Sequence, residues 1–194
     1  MSRYGHDRKE STRHAIVEAA GRRLKLDGID GSGVTMLMKD AGLTTGALYA
    51  HFSSKDELVA TAIADQLARQ RATLRAVATD RDGDEAFVRF YLSVEHRDDR
   101  SEGCPSAALL DEVAPCSVTA RAAYSAGVAA IIDDIAAVLD PDNPASADGR
   151  TWTLIVSLIG TLQMARAILD PDLSDAVLEH GITHAMTIIR MEQS

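Results

Sequence analysis

The stretch GVTMLMKDAGLTTGALYAHF, residues 33–52, decides the fold. Val34, Leu37 and Met38 recur at helical spacing and give a short first helix an inward face. Ala41-Gly42 ends it, because glycine accepts the left-handed backbone that closes a helix. Thr44 is placed to cap a second helix, its hydroxyl accepting from a backbone N–H. There Leu48 and Phe52 lie four apart on one face, Thr45 and Tyr49 four apart on another. One face is apolar and anchored; the other is shallow, with small hydroxyls, a glycine and a phenol. Such a face suits a helix in the major groove, with small side chains at base edges and hydroxyls on phosphates. The pattern is a helix-turn-helix, and its plain alternative is a helical corner with solvated Thr, His and Lys.

Downstream, Ser54 with Glu57 three residues on forms a capping box, so a third helix starts near Lys55. A lysine in a first turn opposes the helix dipole at a cost of about a few tenths of a kcal/mol. A phosphate held by the helix N-terminus and the ammonium together would justify it, and His51 is placed to help. Upstream, a helix is expected from Ser11 to about Asp27, with Ala15, Ile16, Ala19, Ala20 and Leu24 inward and Gly28 as its stop. Residues 1–9, with Arg3, Arg8 and Lys9, read either as an arm reaching phosphates or a minor groove, or as a frayed terminus.

In order and spacing, Ile16, Ala19-Ala20, Gly28-Ile29-Asp30-Gly31, Ala41-Gly42-Leu43-Thr44, Gly46, Leu48-Tyr49-Ala50-His51-Phe52, Ser54-Lys55 and Leu58-Val59 resemble the N-terminal domain of the TetR family of bacterial transcriptional regulators. The resemblance covers about residues 10–70. It implies an all-helical homodimer, with a helix-turn-helix domain on double-stranded operator DNA and a helical C-terminal domain for a small effector and for dimerisation. It carries DNA-contact roles onto Thr44, Thr45, Gly46, Ala47, Tyr49, His51 and Lys55. Gly33 departs from the family, which commonly has a capping Ser or Thr there, so that phosphate contact passes to Ser32 or Thr35. Ala47 and Ala50 stand where some members carry larger side chains, which implies sparse base readout.

The expected division is a DNA-binding domain over 8–70 and a helical domain over 71–194. The helix opening at Lys55 should run to about Ala78, too long for the small head. A turn at Asp80–Asp84 precedes a helix to about His96, and a short helix follows from Pro105 to Val113 with Cys104 at its cap. A long helix spans Ser117 to about Leu139, and 140–149 is a loop. The last two helices, 150–169 and 174–191, form the expected dimer seam, the first apolar on nearly every side and the second capped by Ser174. Tyr91, His96, Cys104, Tyr124, Trp152, Gln163 and Met164 are the candidates for an effector pocket, and all of them also fit a packed core.

Charge agrees with this division. Residues 1–55 balance to +3 and the remainder to −12, within a net −9. A basic head on an acidic body lets phosphates meet one end only. No uncharged run reaches a membrane span, the longest being 151–165, and the N-terminus lacks a signal peptide's apolar core, so a cytoplasmic protein is expected. Cys104 and Cys116 make no disulfide framework. Cys104 reads as a small packing residue or as a thiol sensitised at a helix N-terminus. His180 and His184 stand four apart without a third metal ligand, so no metal or cofactor is expected. No Ser/His/Asp arrangement, phosphate loop or HExxH motif argues for an enzyme. A constitutive DNA-binding or adaptor protein with a filled body is the other class left open.

Overall fold

The computed structural model describes residues 3–77 and 83–191, and side chains from Asp7 to Val77 and from Glu85 to Met191. Met1, Ser2 and the turn expected over Asp80–Asp82 lie outside them. Among the described residues the fold is all-α: α1 Arg3–Asp27, α2 Val34–Asp40, a 3₁₀ segment Thr45–Ala50, α3 Lys55–Val77, α4 Gly83–Tyr91, α5 Val94–Asp98, α6 Pro105–Val113, α7 Val118–Leu139, a 3₁₀ turn Pro144–Ala147, α8 Asp148–Ala167 and α9 Pro171–Arg190. α1 thus begins well before Ser11, and Arg8 and Lys9 are helical rather than part of an arm.

The chain forms two compact units, Met1–Arg69 with Ala108–Gly127, and Gln70–Ala107 with Val128–Ser194. The return of 108–127 to the first unit had no sequence signal.

In the first unit Ile16, Ala20 and Leu24 of α1, Leu37 and Met38 of α2, and Leu58, Ile63 and Leu67 of α3 form a buried core. Val17 is buried and Ala15 exposed, so the inward stripe of α1 is rotated from the expected one. Two glycines set how closely helices approach. A Cβ on Gly21 would lie 2.4 Å from Gln66 of α3, and one on Gly127 of α7 would lie 2.6 Å from Leu67. The loop after α1 is held from two sides: the Ile29 N–H donates to the Glu112 carboxylate of α6, and the Ile29 carbonyl accepts from Lys55 Nζ at 2.9 Å.

In the second unit α8 and α9 form an antiparallel pair, with Leu154, Leu158 and Leu162 buried on one and Leu178, Ile182 and Ile188 on the other. A Cβ on Gly181 would meet Thr161 at 2.4 Å, whereas one on Gly160 would meet nothing within 4 Å. α8 is not buried all round: Trp152, Val156 and Met164 are 45%, 63% and 60% exposed. α9 starts at Pro171, because Asp170 accepts the Leu173 N–H at 3.0 Å and proline suits a first helical position. Ser174, the expected cap, is instead buried and donates to the Ala165 carbonyl at 2.8 Å.

The single helix expected to His96 is broken after Tyr91. Ser93 takes an extended backbone and its hydroxyl accepts the His96 N–H at 3.1 Å, a cap that opens α5. Pro105 opens α6 as expected, with Cys104 Sγ accepting from the Ala107 N–H at 3.4 Å. By length and composition α7 is apolar enough to cross a membrane, but its last turns carry Asp133 and Asp134, the latter locked to two arginines.

Candidate nucleic-acid interface

The turn between α2 and the 3₁₀ segment closes as its sequence demands. Gly42 sits at φ 70°, the Leu43 N–H donates to the Met38 carbonyl and the Gly42 N–H to that of Lys39, both at 2.9 Å. These two bonds use two of the last carbonyls of α2 and turn the chain sharply. The next segment is 3₁₀ rather than α, with the Ala47 N–H on the Thr44 carbonyl at 2.9 Å. Thr44 stands at its N-cap without a side-chain cap bond, which leaves the hydroxyl facing solvent.

Beneath, Leu48 and Phe52 are 0% and 2% exposed. Arg13 of α1 fastens the end of this segment. Its guanidinium lies 3.9 Å from the Phe52 ring centroid, donates to the His51 carbonyl and pairs with Glu57 at 3.4 Å. Glu57 also accepts from the Ser53 backbone N–H and hydroxyl, both at 2.7 Å, while its own N–H donates to Ser54 Oγ. These bonds, the backbone one foremost, hold its carboxyl below the usual carboxylate range. A second clamp joins α1 to α2, where Arg23 grips Asp40 and pulls its carboxyl down.

Above, Thr35, Thr44, Thr45, Gly46 and Tyr49 are exposed, Tyr49 at 68%, and the Thr45 and Thr35 hydroxyls approach to 3.4 Å. Ala47 and His51 are half-buried, and His51 Nδ1 is buried without a hydrogen-bond partner. Ser32 departs from the expected surface. It is fully buried and donates to the Gly28 carbonyl, closing the end of α1, whereas Thr35 is exposed. The Lys55 ammonium lies at the Ile29 carbonyl. Arg13, which no spacing rule singles out, is the positioning residue that sequence reasoning missed.

Residues 16–62 match the bacterial regulatory proteins of the tetR family. The first unit carries a TetR-family DNA-binding domain. Solved structures of similar fold span nearly the whole chain. E. coli NemR in its reduced form is 19% identical, at TM-score 0.76 over 95% of this chain and 100% of that one. A TetR-family regulator from Cytophaga hutchinsonii is 18% identical, at TM-score 0.77 over 95% and 98%. FadR from Bacillus subtilis, in complex with stearoyl-CoA, is 11% identical, at TM-score 0.66 over 93% and 99%. A search of curated proteins by sequence finds no match.

The seven pocket candidates fall in both units. Tyr124 belongs to the first unit and the other six to the second. Trp152 and Met164 face outward, and Gln163 is half-buried. Tyr91, His96 and Cys104 do meet, but in a closed knot. His96 Nδ1 faces the Tyr91 carbonyl at 2.6 Å and its Nε2 accepts the Cys104 N–H at 2.8 Å. The Cys104 thiol reaches Gln70 Oε1 at 3.5 Å, and Arg166 donates to the His96 and Arg97 carbonyls. These groups close the α5–α6 connection. The other thiol, Cys116, is pushed up by burial and by Asp30, which keeps it protonated.

Proposed function

We propose that this protein is a transcriptional repressor that occupies a pseudo-palindromic operator as a homodimer in the cytoplasm and leaves it when the body takes up a small molecule. It is a binding protein rather than an enzyme. One observation carries the reading: the 3₁₀ segment buries Leu48 and Phe52 while offering Thr44, Thr45, Gly46 and Tyr49 to solvent. A large phenol 68% exposed on a rigidly anchored segment is a recognition element before it is a structural one. Thr35, Lys55 and the partly buried His51 flank it as phosphate ligands, and Ala47 leaves room for close approach to bases.

Dimerisation is supported by the outward face of α8, where Trp152, Val156, Gly160 and Met164 recur every four residues and stay uncovered by their own chain. Pairing α8 and α9 about a two-fold axis would bury this stripe in a four-helix bundle. Effector control is supported by kinship of fold with FadR, whose complex holds stearoyl-CoA. α3 is the candidate lever, since it gives Lys55–Arg69 to the first unit and Gln70–Val77 to the second. The constitutive reading draws on the small volume, about 100 Å³, of one apolar cavity in the body.

Selection of bound sequences from random DNA by the purified protein tests the proposal. Two half-sites about 34 Å apart or somewhat more are expected. Recovery of no palindrome at low salt would sink it.

A further inference from the structure

An apolar cavity of the second unit is walled by Leu74, Phe87, Ile135, Leu154 and Ile189, and among the described residues its polar lining is Arg75 and Asp134. Arg71 and Arg75, four apart on α3, both grip Asp134 through Nε and Nη2, at 2.6 and 2.8 Å from the one and 2.6 and 2.7 Å from the other. Two guanidiniums thus share one carboxylate. The paired arginines hold that carboxyl well below its ordinary range, so it stays ionised. The neighbouring Asp133 acts on Arg71 as well. Arg75 is 60% exposed and lines the cavity. A guanidinium has five N–H bonds, and Arg75 gives only two nitrogens to Asp134, so donors remain for a second acceptor.

We propose that this cavity binds a short aliphatic carboxylate, with the tail among Leu74, Phe87, Leu154 and Ile189 and the head on Arg75. The free donors select the head: a cationic ligand would meet guanidinium N–H groups and could accept none of their bonds, and a carboxylate accepts a charge-assisted pair that an alcohol cannot match. Volume selects the tail. The space is roughly two-thirds of the ~150 Å³ of an engineered apolar cavity that holds benzene, which suits a chain of about four carbons beyond the carboxylate. A phosphate-bearing ligand is disfavoured because the walls offer its remaining oxygens no donor. The inference rests on the reading that the body takes up a small molecule, and it names that molecule's class.

The test uses the full-length protein without DNA, at fixed ionic strength, titrated with pentanoate, pentan-1-ol and pentylamine while thermal unfolding is followed. Pentanoate should raise the midpoint, and the alcohol and amine should do so far less. Arg75→Gln should weaken pentanoate by at least tenfold. Val138→Phe, which fills the cavity from a partly exposed lining position, should do the same, with both variants melting near the parent. Equal response to pentanoate and pentan-1-ol, or parent-like binding by both variants, would overturn the proposal. So would absence of response to carboxylates from butanoate to octanoate. Operator selection on the same preparation separates the two readings. A palindrome with no carboxylate response overturns this inference alone, and a carboxylate response with no palindrome supports the site while overturning the repressor reading.

Discussion

Lys55 gives its ammonium to the Ile29 carbonyl, so a phosphate must share or displace that bond. An ammonium carries three donors, which makes sharing feasible. Lys55→Ala should therefore weaken binding to all DNA sequences alike and lower the slope of log affinity against log salt by about one. Tyr49→Phe, at an exposed site, should weaken operator binding with fold and dimer intact. Unchanged affinity of both variants at two salt concentrations would remove these residues from the interface. Asp134 offers a separate check through pH. Its folded-state carboxyl is depressed by Arg71 and Arg75, so its stabilisation is complete above the ordinary carboxylate range and is lost as pH falls through the folded value. Asp134→Asn should cost about 1 kcal/mol near neutrality, and the difference from the parent should shrink only below about pH 4. A constant difference from about pH 7 to about pH 2.5 in urea titrations would contradict this. At this scale the sequence was legible where a residue's exposure follows from its own helix. Thr35, Thr44, Thr45 and Tyr49 lie on the surface. Ser32 was misread because its bond goes to Gly28, a choice fixed by how α1 ends and invisible to spacing.

The helix-turn-helix was legible as an element because its signals are local: Leu37 and Met38 inward, Gly42 as stop, Leu48 and Phe52 as anchors. Its 3₁₀ character was not, since propensity hardly separates 3₁₀ from α over six residues. Two glycines of this element make opposite predictions. Gly42 has open space around a missing Cβ but sits at φ 70°, so Gly42→Ala should destabilise by about 1 kcal/mol through backbone strain alone. Gly33 has open space and an ordinary extended backbone, and caps α2 without a side-chain bond. Gly33→Ser should therefore stabilise by about a few tenths of a kcal/mol and add a hydroxyl beside Thr35. Thermal or urea unfolding of the two variants reads both signs, and equal shifts would contradict the backbone argument. The break between α4 and α5 was missed for a similar local reason: Ser93 competes for the His96 N–H, and apolar periodicity is blind to such a cap.

Across the whole molecule, the exposed stripe of α8 asks for a cover. Val156→Glu, placed 63% exposed in the middle of it, should leave the monomer folded, yield monomers in sedimentation, and reduce operator affinity by at least tenfold. A dimeric variant would show that the chain pairs elsewhere. α8 looked buried all round in sequence because its outward residues Trp152, Val156 and Met164 are as apolar as its core ones. The cavity proposed above to bind a carboxylate was illegible for another reason: it is walled by ordinary core residues such as Leu74 and Leu154, whose spacing reads as packing alone.

The first unit is written in two separate stretches of chain, and this bears on how such a protein can be recombined. Residues 1–69 do not carry everything that shapes the head. The Ile29 N–H finds its acceptor on Glu112, and Leu67 packs where Gly127 leaves room. A crossover near residue 70 that brings in a foreign body would strand a backbone donor and set a new side chain against Leu67. Exchange of heads between relatives should preserve operator affinity only when 108–127 travels with 1–69, a double crossover that single-point shuffling rarely supplies. Chimeras made both ways and compared for operator binding would decide it, with equal affinity contradicting the expectation. Operator specificity and the middle of the body would then be inherited as one cassette, and new effector responses would arise most easily in the segments left outside it.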